Sequence, residues 1–590
     1  MEKENRISQS SHHSTTSPSL PPTPPNDQTY PPEKSIITTT NDPTSSPSTT
    51  PLPREATPSE LSTHPHITAP IPLSAWLVIL AGAFERATYF GIIAPWQNYM
   101  QNPRSLDRNV PPGALGLGQS TATNVSNAFF LFSYLTPMLF ACVSDMWLGR
   151  YRTLMVGLGI YMLGCIILLC TSLPVALDHG AGIGGLVAAM ILIGLGVGAV
   201  KAIYFPFLGD QYVQKKPQLV RQKNGELAIV DGTRTLQLIY NLYFWFTNVA
   251  ALSTIATTFL EKEYDFWTAY LLCTACLLVT IVVLLVCSGK LVKLTPKGNN
   301  LPMATKVLVC ASKNGFKLNH AKASYQQEHK NKRVLWSDGF IDELKLGLLA
   351  CRVIFSYLLF YLCINQIFNN LVSQAGQMEL HGIPNDMIQS FSGVACVIFG
   401  PIIQAMYSFL AKRRIAFGPI ARISAAFFFC GAGMAYAAGI QKLIYTSGPC
   451  YDQPFACEAS DGKPNDVNVW VQVPIYFILA VAEIFGFVTA SEYAYSKSPQ
   501  DMKTIVQAIS QLTACLGSAL GMALSPVAKD PYLVTLYACL AATMGVATAV
   551  FWWIFRRYDK IDEELNQSNL KSSEDRDHLN TPSDDSVPGS

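Results

Sequence analysis

From residue 73 onward, apolar runs of about 20 residues alternate with short polar joints; a helix of that length spans about 30 Å, the thickness of a bilayer's hydrocarbon core. About twelve such runs are predicted as membrane-spanning helices, near 73–100, 121–143, 152–173, 183–208, 235–260, 266–288, 345–372, 388–410, 416–440, 469–494, 503–525 and 531–555. Residues 1–70 are rich in Ser, Thr and Pro and poor in large apolar side chains. They cannot bury a core, so this tail is expected to be disordered, and the first apolar run is expected to act as an uncleaved anchor. The longest joint, 289–344, falls after the sixth run. The pattern therefore predicts an all-α membrane protein of twelve transmembrane helices in two six-helix bundles, 71–288 and 345–555, with 289–344 as linker and 556–590 as a tail. Inside the linker, SDGFIDELKLG reads as an interfacial helix leading into the seventh run.

Composition narrows the class. With 49% hydrophobic and 14% charged residues and a mean hydropathy of +0.24, the chain is too apolar for a soluble protein of this length. The net charge of +2 is spread in short clusters with no basic face, so nucleic acid is not an expected partner. Lys and Arg instead gather in alternate joints, at Arg150 and Arg152, Lys215 to Lys223, Lys290 to Lys297, Lys412 to Arg414, and Lys497 and Lys503. The bias predicts that both termini are cytoplasmic. Cys450 and Cys457 would then share an outer polar loop, where a disulfide and a pair of unbridged thiols are equally consistent readings.

Against this apolar background a few charges stand out. Glu85 and Arg86 interrupt the first run, Lys201 the fourth and Glu483 the tenth. Charge at membrane depth is costly; it usually faces a bundle interior, finds a partner, and lines a substrate or proton pathway. In helical spacing Glu85, Arg86 and Tyr89 share one stripe. Pairing of Glu85 with Arg86 or Lys201 would keep both charged, and protonation of Glu85 would release its cation. A purely structural salt-bridge network is the competing reading. For Asn248 that reading is an interhelical hydrogen bond, for Tyr134 and Trp245 packing, and for Glu492 an interfacial salt bridge to Lys497.

These motifs resemble the proton-dependent oligopeptide transporter family of the major facilitator superfamily, fungal-type branch. GAFERATYF matches the family's E-x-x-E-R-F-x-Y-Y at Glu85, Arg86 and Tyr89, with Gly82, Ala87 and Phe90 departing from it. ACVSDMWLGRYRTL resembles the loop between the second and third helices, retaining Asp145, Gly149, Arg150 and Thr153. GLGVGAVKAIYFPF carries the family's Lys at Lys201, IYNLYFWFTNVAALS its Asn at Asn248, and AVAEIFGFVTASEYAYSKSP its tenth-helix Glu at Glu483. NNLVSQAGQMELHGIPND is typical of the fungal branch.

The resemblance implies a major facilitator fold with a site between the two halves. It implies proton coupling through Glu85, Arg86 and Lys201, and substrate binding by Arg86, Tyr89, Tyr134, Lys201, Asn248, Gln366 and Glu483. Asp145 and Arg150 would control gating. The expected activity is proton-coupled symport of di- or tripeptides through the plasma membrane by a monomer, with the proton gradient in place of any cofactor. Gly82 removes a carboxylate that commonly handles protons, and Ser392 stands where the family often has Asn or Asp, so two alternatives stay open. One is a divergent member carrying, and even exporting, a modified peptide or peptide-like metabolite. The other is a non-transporting nutrient sensor. No P-loop, H-E-x-x-H or paired-Cys metal spacing is present, so neither an enzyme nor a metal site is expected.

Overall fold

The computed structural model describes Arg54, Glu55 and residues 64–579, apart from 106–109, 214–216, 222–225, 295–299, 455–463, 491–492, 494–502 and a few single positions. Among the described residues ten helices are long and apolar enough to cross a membrane. They include α1 (Leu73–Ile93), α3 (Gln119–Val143), α4 (Arg150–Thr171), α5 (Gly182–Asp210), α8 (Phe266–Val286), α14 (Ser390–Lys412), α15 (Pro419–Thr446) and α17 (Lys503–Leu524). A short helix, α2 (Trp96–Gln101), extends the first. The last, α18, starts at Leu533 and runs on to Leu579, well into the expected tail.

Two of the twelve expected runs are broken. The fifth consists of α6 (Gly232–Ala251) and α7 (Ser253–Glu263), parted at Leu252. The seventh is α11 (Asp338–Phe355), α12 (Leu358–Ile364) and α13 (Asn370–Gly376), with a 3₁₀ turn at Asn365–Phe368. Short amides cause the second break, because they offer the backbone alternatives to helical bonds. Asn369 Oδ1 accepts from the Asn370 amide at 2.6 Å and starts α13 afresh. The expected interfacial helix is not separate from the seventh run: Ser337 caps α11, and the same helix continues to Phe355.

One core gathers side chains from Ala75 to Leu291 and a second those from Val353 to Phe551. Helices in a membrane associate through close packing of small residues, and the seams here show it. A Cβ at Gly164 would stand 2.8 Å from Ile193 Cγ1, and one at Gly196 would run into Tyr161, so α4 and α5 meet backbone to backbone. Between the halves, a Cβ at Gly521 of α17 would stand 2.7 Å from Asn127 Oδ1 of α3. The linker forms α9 (Asn300–Lys313) and α10 (Ala323–Lys330). Ala304 and Val307 of α9 pack with Ile341 and Leu344 of α11 and Ala508 of α17, with Met138 and Cys142 of the first half against them. Asp342 hydrogen-bonds Lys345 and Lys322, and those bonds hold its carboxyl below the usual carboxylate range.

The tail expected to be disordered carries two short strands. Arg54–Glu55 (β1) and His66–Ile67 (β2) flank a hairpin of β3 (Gln218–Arg221) and β4 (Leu227–Val230), in the order β1-β3-β4-β2. β2 runs parallel to β4, and β1 antiparallel to β3. At the end of the bundle opposite the linker, here the distal end, β5 (Met378–Glu379) pairs with β6 (Asn465–Asn468). Cys457 lies outside the described residues, so the Cys450 to Cys457 pair does too.

Overpacking a tight seam costs about 1–3 kcal/mol. Gly196→Leu is therefore expected to lower the thermal unfolding midpoint of the purified protein, whereas Gly184→Leu, at a position where an added Cβ meets nothing within 4 Å, leaves it unchanged.

Candidate functional site

Glu85 and Arg86 are neighbours on α1, yet their side chains close on each other as a fork, with Nε to Oε2 and Nη2 to Oε1 both at 2.6 Å. Glu85 is fully buried and Arg86 nearly so. Bidentate carboxylate–guanidinium pairing is the strongest hydrogen-bonded ion pair available to side chains. Of the two partners open to Glu85, the geometry thus takes Arg86. The guanidinium carbon also lies 4.8 Å from the centre of the Tyr89 ring.

Lys201 is left to aromatic faces. Its Nζ sits 4.2 Å from the centre of the Tyr134 ring and 5.4 Å from that of Tyr89. The helices bring it there through glycine: a Cβ at Gly198 of α5 would collide with Thr136 of α3, whose hydroxyl donates to the Gly194 carbonyl at 3.0 Å. That close approach lays Tyr134 over the ammonium. Cation–π contacts are worth about 0.5–2 kcal/mol, well short of what a buried ion loses in hydration. No carboxylate lies within ion-pair distance of Lys201 among the described residues.

The second half faces this cluster. Tyr134 meets Tyr361 of α12 at 5.9 Å, and Tyr361 meets Phe487 at 5.4 Å, an aromatic bridge between the halves. Glu483 ends α16 (Val473–Glu483), where a π-helical turn, Ile484–Val488, begins. Such turns displace a helix's register and often sit at working residues. The half-buried Glu483 carboxylate receives long hydrogen bonds from Ser392 Oγ at 3.5 Å and Cys396 Sγ at 3.8 Å. Among the described residues no cation reaches it.

The remaining sequence candidates divide. Asn248 Nδ2 donates to the Phe244 carbonyl of its own helix at 2.9 Å, and among the described residues no hydrogen bond joins it to the charged cluster. Gln366 belongs elsewhere: it accepts from Asn370 Nδ2 at 2.7 Å, and Asn370 Oδ1 accepts from Gln119 and Thr123 of α3. This is part of the closure of the distal end. Asp145 lies in a second π-helical turn, Ser144–Leu148, and Arg150 pairs with Asp210 at the end of α5, at 2.6 Å and 2.7 Å, rather than with Asp145. Glu492 and Lys497 lie outside the described residues.

Sequence reasoning missed three residues here. Asp210 carried no motif of its own. Tyr204 and Tyr243 stack at 5.4 Å and 18°, and a Cβ at Gly82 would stand 2.6 Å from each ring. The place of the missing carboxylate is thus filled by two phenols beside Arg86, a substitution visible only once the three helices are assembled.

The chain matches the POT family profile over residues 151–546. It belongs to the POT family. Peptide transporter PTR_C of Candidozyma auris is 37% identical over 531 residues, covering 89% of this chain and 91% of that protein. Peptide transporter PTR2 of Saccharomyces cerevisiae is 37% identical over 522 residues, covering 88% and 85%. Among solved structures, the POT family transporter PepTSo superposes with a TM-score of 0.66 at 16% identity, covering 84% of this chain and 99% of that one. This POT-family chain thus has the major facilitator fold, and at its charged cluster Tyr134 of the first half, over Lys201, meets Tyr361 of the second.

If the Tyr204–Tyr243 stack occupies the Gly82 position, Gly82→Ala is expected to lower the thermal midpoint. Adding Tyr243→Ala should restore part of the loss, measured as a double-mutant cycle on the purified protein.

Proposed function

We propose that this protein is a secondary active transporter that carries di- and tripeptides together with protons by alternating access. The observation that carries the reading is the placement of Lys201 and Glu483, opposite charges on opposite halves, each without an ionic partner among the described residues. A short peptide is a zwitterion of matching polarity. Its terminal carboxylate would meet Lys201 and its ammonium Glu483, each repaying hydration lost on burial. Binding that spans both halves favours the closed arrangement over open ones.

Protons enter through Glu85. While ionised it clamps Arg86; protonated, it gives up the pair, and the freed guanidinium becomes a second, bidentate anchor for the substrate carboxylate. Proton and peptide then promote each other's binding, which is the thermodynamic content of symport. Arg150 with Asp210 would hold the linker end, with Asp145 in the adjoining turn as its regulator. The same reading takes the protein as a plasma-membrane monomer with both termini in the cytoplasm. A second reading, transport of a modified peptide or peptide-like metabolite, draws support from the Tyr204–Tyr243 stack, which leaves this pocket more aromatic and less acidic than the motif it departs from.

Uptake of a labelled dipeptide into proteoliposomes, with and without an inward-acid gradient, tests the assignment. Gradient-dependent accumulation is expected, and folded protein that moves no peptide in either direction defeats it. Glu85→Gln should abolish accumulation while counterflow exchange persists, whereas Lys201→Ala, which removes the carboxylate anchor, should abolish accumulation and weaken exchange as well. Glu483→Ala should weaken binding of peptides with a free amino terminus tenfold or more, by about 1.4 kcal/mol or more, and of amino-blocked ones less; equal losses would remove the ammonium contact.

A further inference from the structure

At the distal end, Glu261 closes α7 and Asp386 lies in the 3₁₀ turn Asn385–Gln389 that leads into α14. One belongs to each half. Both are buried, Glu261 with 3% of its surface exposed and Asp386 with none, and their carboxyl groups lie within hydrogen-bonding reach of each other. Two ionised carboxylates accept hydrogen bonds and donate none. Placed face to face away from water, they need a proton between them or a cation beside them.

The donors around the pair are already committed. Asn98 Nδ2 gives one hydrogen to Glu261 Oε1 at 3.1 Å and the other to Asn385 Oδ1 at 2.8 Å. Asn385 Nδ2 gives its two to Asn98 Oδ1 and the Val372 carbonyl. Lys262 acts on Asp386 through space but makes no ion pair with it, donating instead to the carbonyls of Gly382 at 2.7 Å and Ile383 at 3.3 Å. The phenols of Tyr99, Tyr270 and Tyr476 are buried nearby and bond to neither carboxyl. Backbone amides of Asp386 and Met387 approach Asp386 without hydrogen-bond geometry. The other charges in the vicinity are Glu263, beside Lys262, and Asp265, which is held by Arg104 at 3.9 Å. Among the described residues, Glu261 Oε2 and both oxygens of Asp386 are left with no donor.

We propose that Glu261 and Asp386 share one proton and form a second protonation site, separate from Glu85, on the seam where the two halves meet distally. With the proton present, an O–H bond on one carboxyl donates to the other, and the pair carries a single negative charge across a closed seam. When the proton leaves to the distal aqueous phase, two anions face each other and push the halves apart. Closing that end therefore takes up a proton from the distal side. The consequence for transport rests on the symport reading above; the shared proton does not.

The test needs no substrate. Infrared difference spectra of the full-length protein in liposomes, recorded through a pH titration, should contain a carboxylic C=O band that is lost on alkalinisation. That component should disappear both in Glu261→Gln and in Asp386→Asn, since either isosteric amide can donate to the remaining carboxylate and hold the seam shut. With nitroxides carried on unnatural amino acids at the exposed positions Ser105 and Asp466, the wild-type distance should lengthen as pH rises, and both variants should stay at the short distance. Spectra unchanged by either substitution would overturn the shared proton. So would a wild-type pair that lacks the band at every pH and responds to sodium or potassium instead, which would assign the site to a metal cation. A pH-dependent distance identical in wild type and variants would overturn the coupling of the site to opening.

Discussion

A charge placed in hydrocarbon must be answered by the protein itself, and the arrangement of this molecule follows from how few answers it supplies. Glu85 and Arg86 answer each other from adjacent positions on one helix, and among the described residues no carboxylate is then left within ion-pair distance of Lys201. Lys201 is left with ring faces, and Glu483 with a hydroxyl and a thiol at long range. The imbalance leaves one charge on each half without an ionic partner among the described residues, a pair that a zwitterion can complete. Had Glu85 closed on Lys201 instead, Arg86 would be the exposed cation, and the anchor for a carboxylate would lie on the first helix rather than the fourth.

The two ends of the bundle are held by different chemistry. Distally, with Lys262 on the Gly382 carbonyl and the Glu261–Asp386 pair as the charged exceptions, the halves meet mostly through neutral amides and hydroxyls, including Asn98 with Asn385, Gln119 and Thr123 with Asn370, and Gln97 with Ser373. Each such bond contributes only about 1 kcal/mol net, so the seam is specific without being deep. Toward the linker, Arg150 and Asp210 form a charged clasp within the first half, while the linker's small apolar cluster lies against both halves. A molecule that must alternate between two openings needs closures that differ by only a few kcal/mol.

Periodic features of the sequence carried most of the fold, because a spanning helix announces itself by length and hydropathy. The fifth and seventh helices were legible as apolar runs but not as broken ones, since the cause lies in which amides turn back on their own backbone, as Asn369 does. The charged residues were legible because charge in an apolar run is conspicuous. Their pairing was not: Glu85 had two cations to choose from, and rotamers decide between them. Gln366 looked like a pocket residue from its place on the seventh helix, yet the 3₁₀ turn after Ile364 rotates it into the distal seam. Tyr204, Tyr243 and Asp210 were silent because aromatic and terminal acidic residues on helices are ordinary, and their meaning comes from the neighbours that tertiary structure gives them.

The strand at His66–Ile67 gives the start of the chain a mechanical address. It lies along β4, in the segment joining the helix that carries Lys201 to the one that carries Asn248, only a few residues before the first span begins. The amide of Asp231 bonds the Ile67 carbonyl at 3.0 Å, and that of Ala69 bonds Thr235 Oγ1 at 2.9 Å, so the entry to α1 is stitched to the entry to α6. For anyone shortening or tagging this protein, the natural cut lies before Arg54. A shorter piece would bare the edge of a hairpin and lose the bonds that tie the entry of the first helix to that of α6.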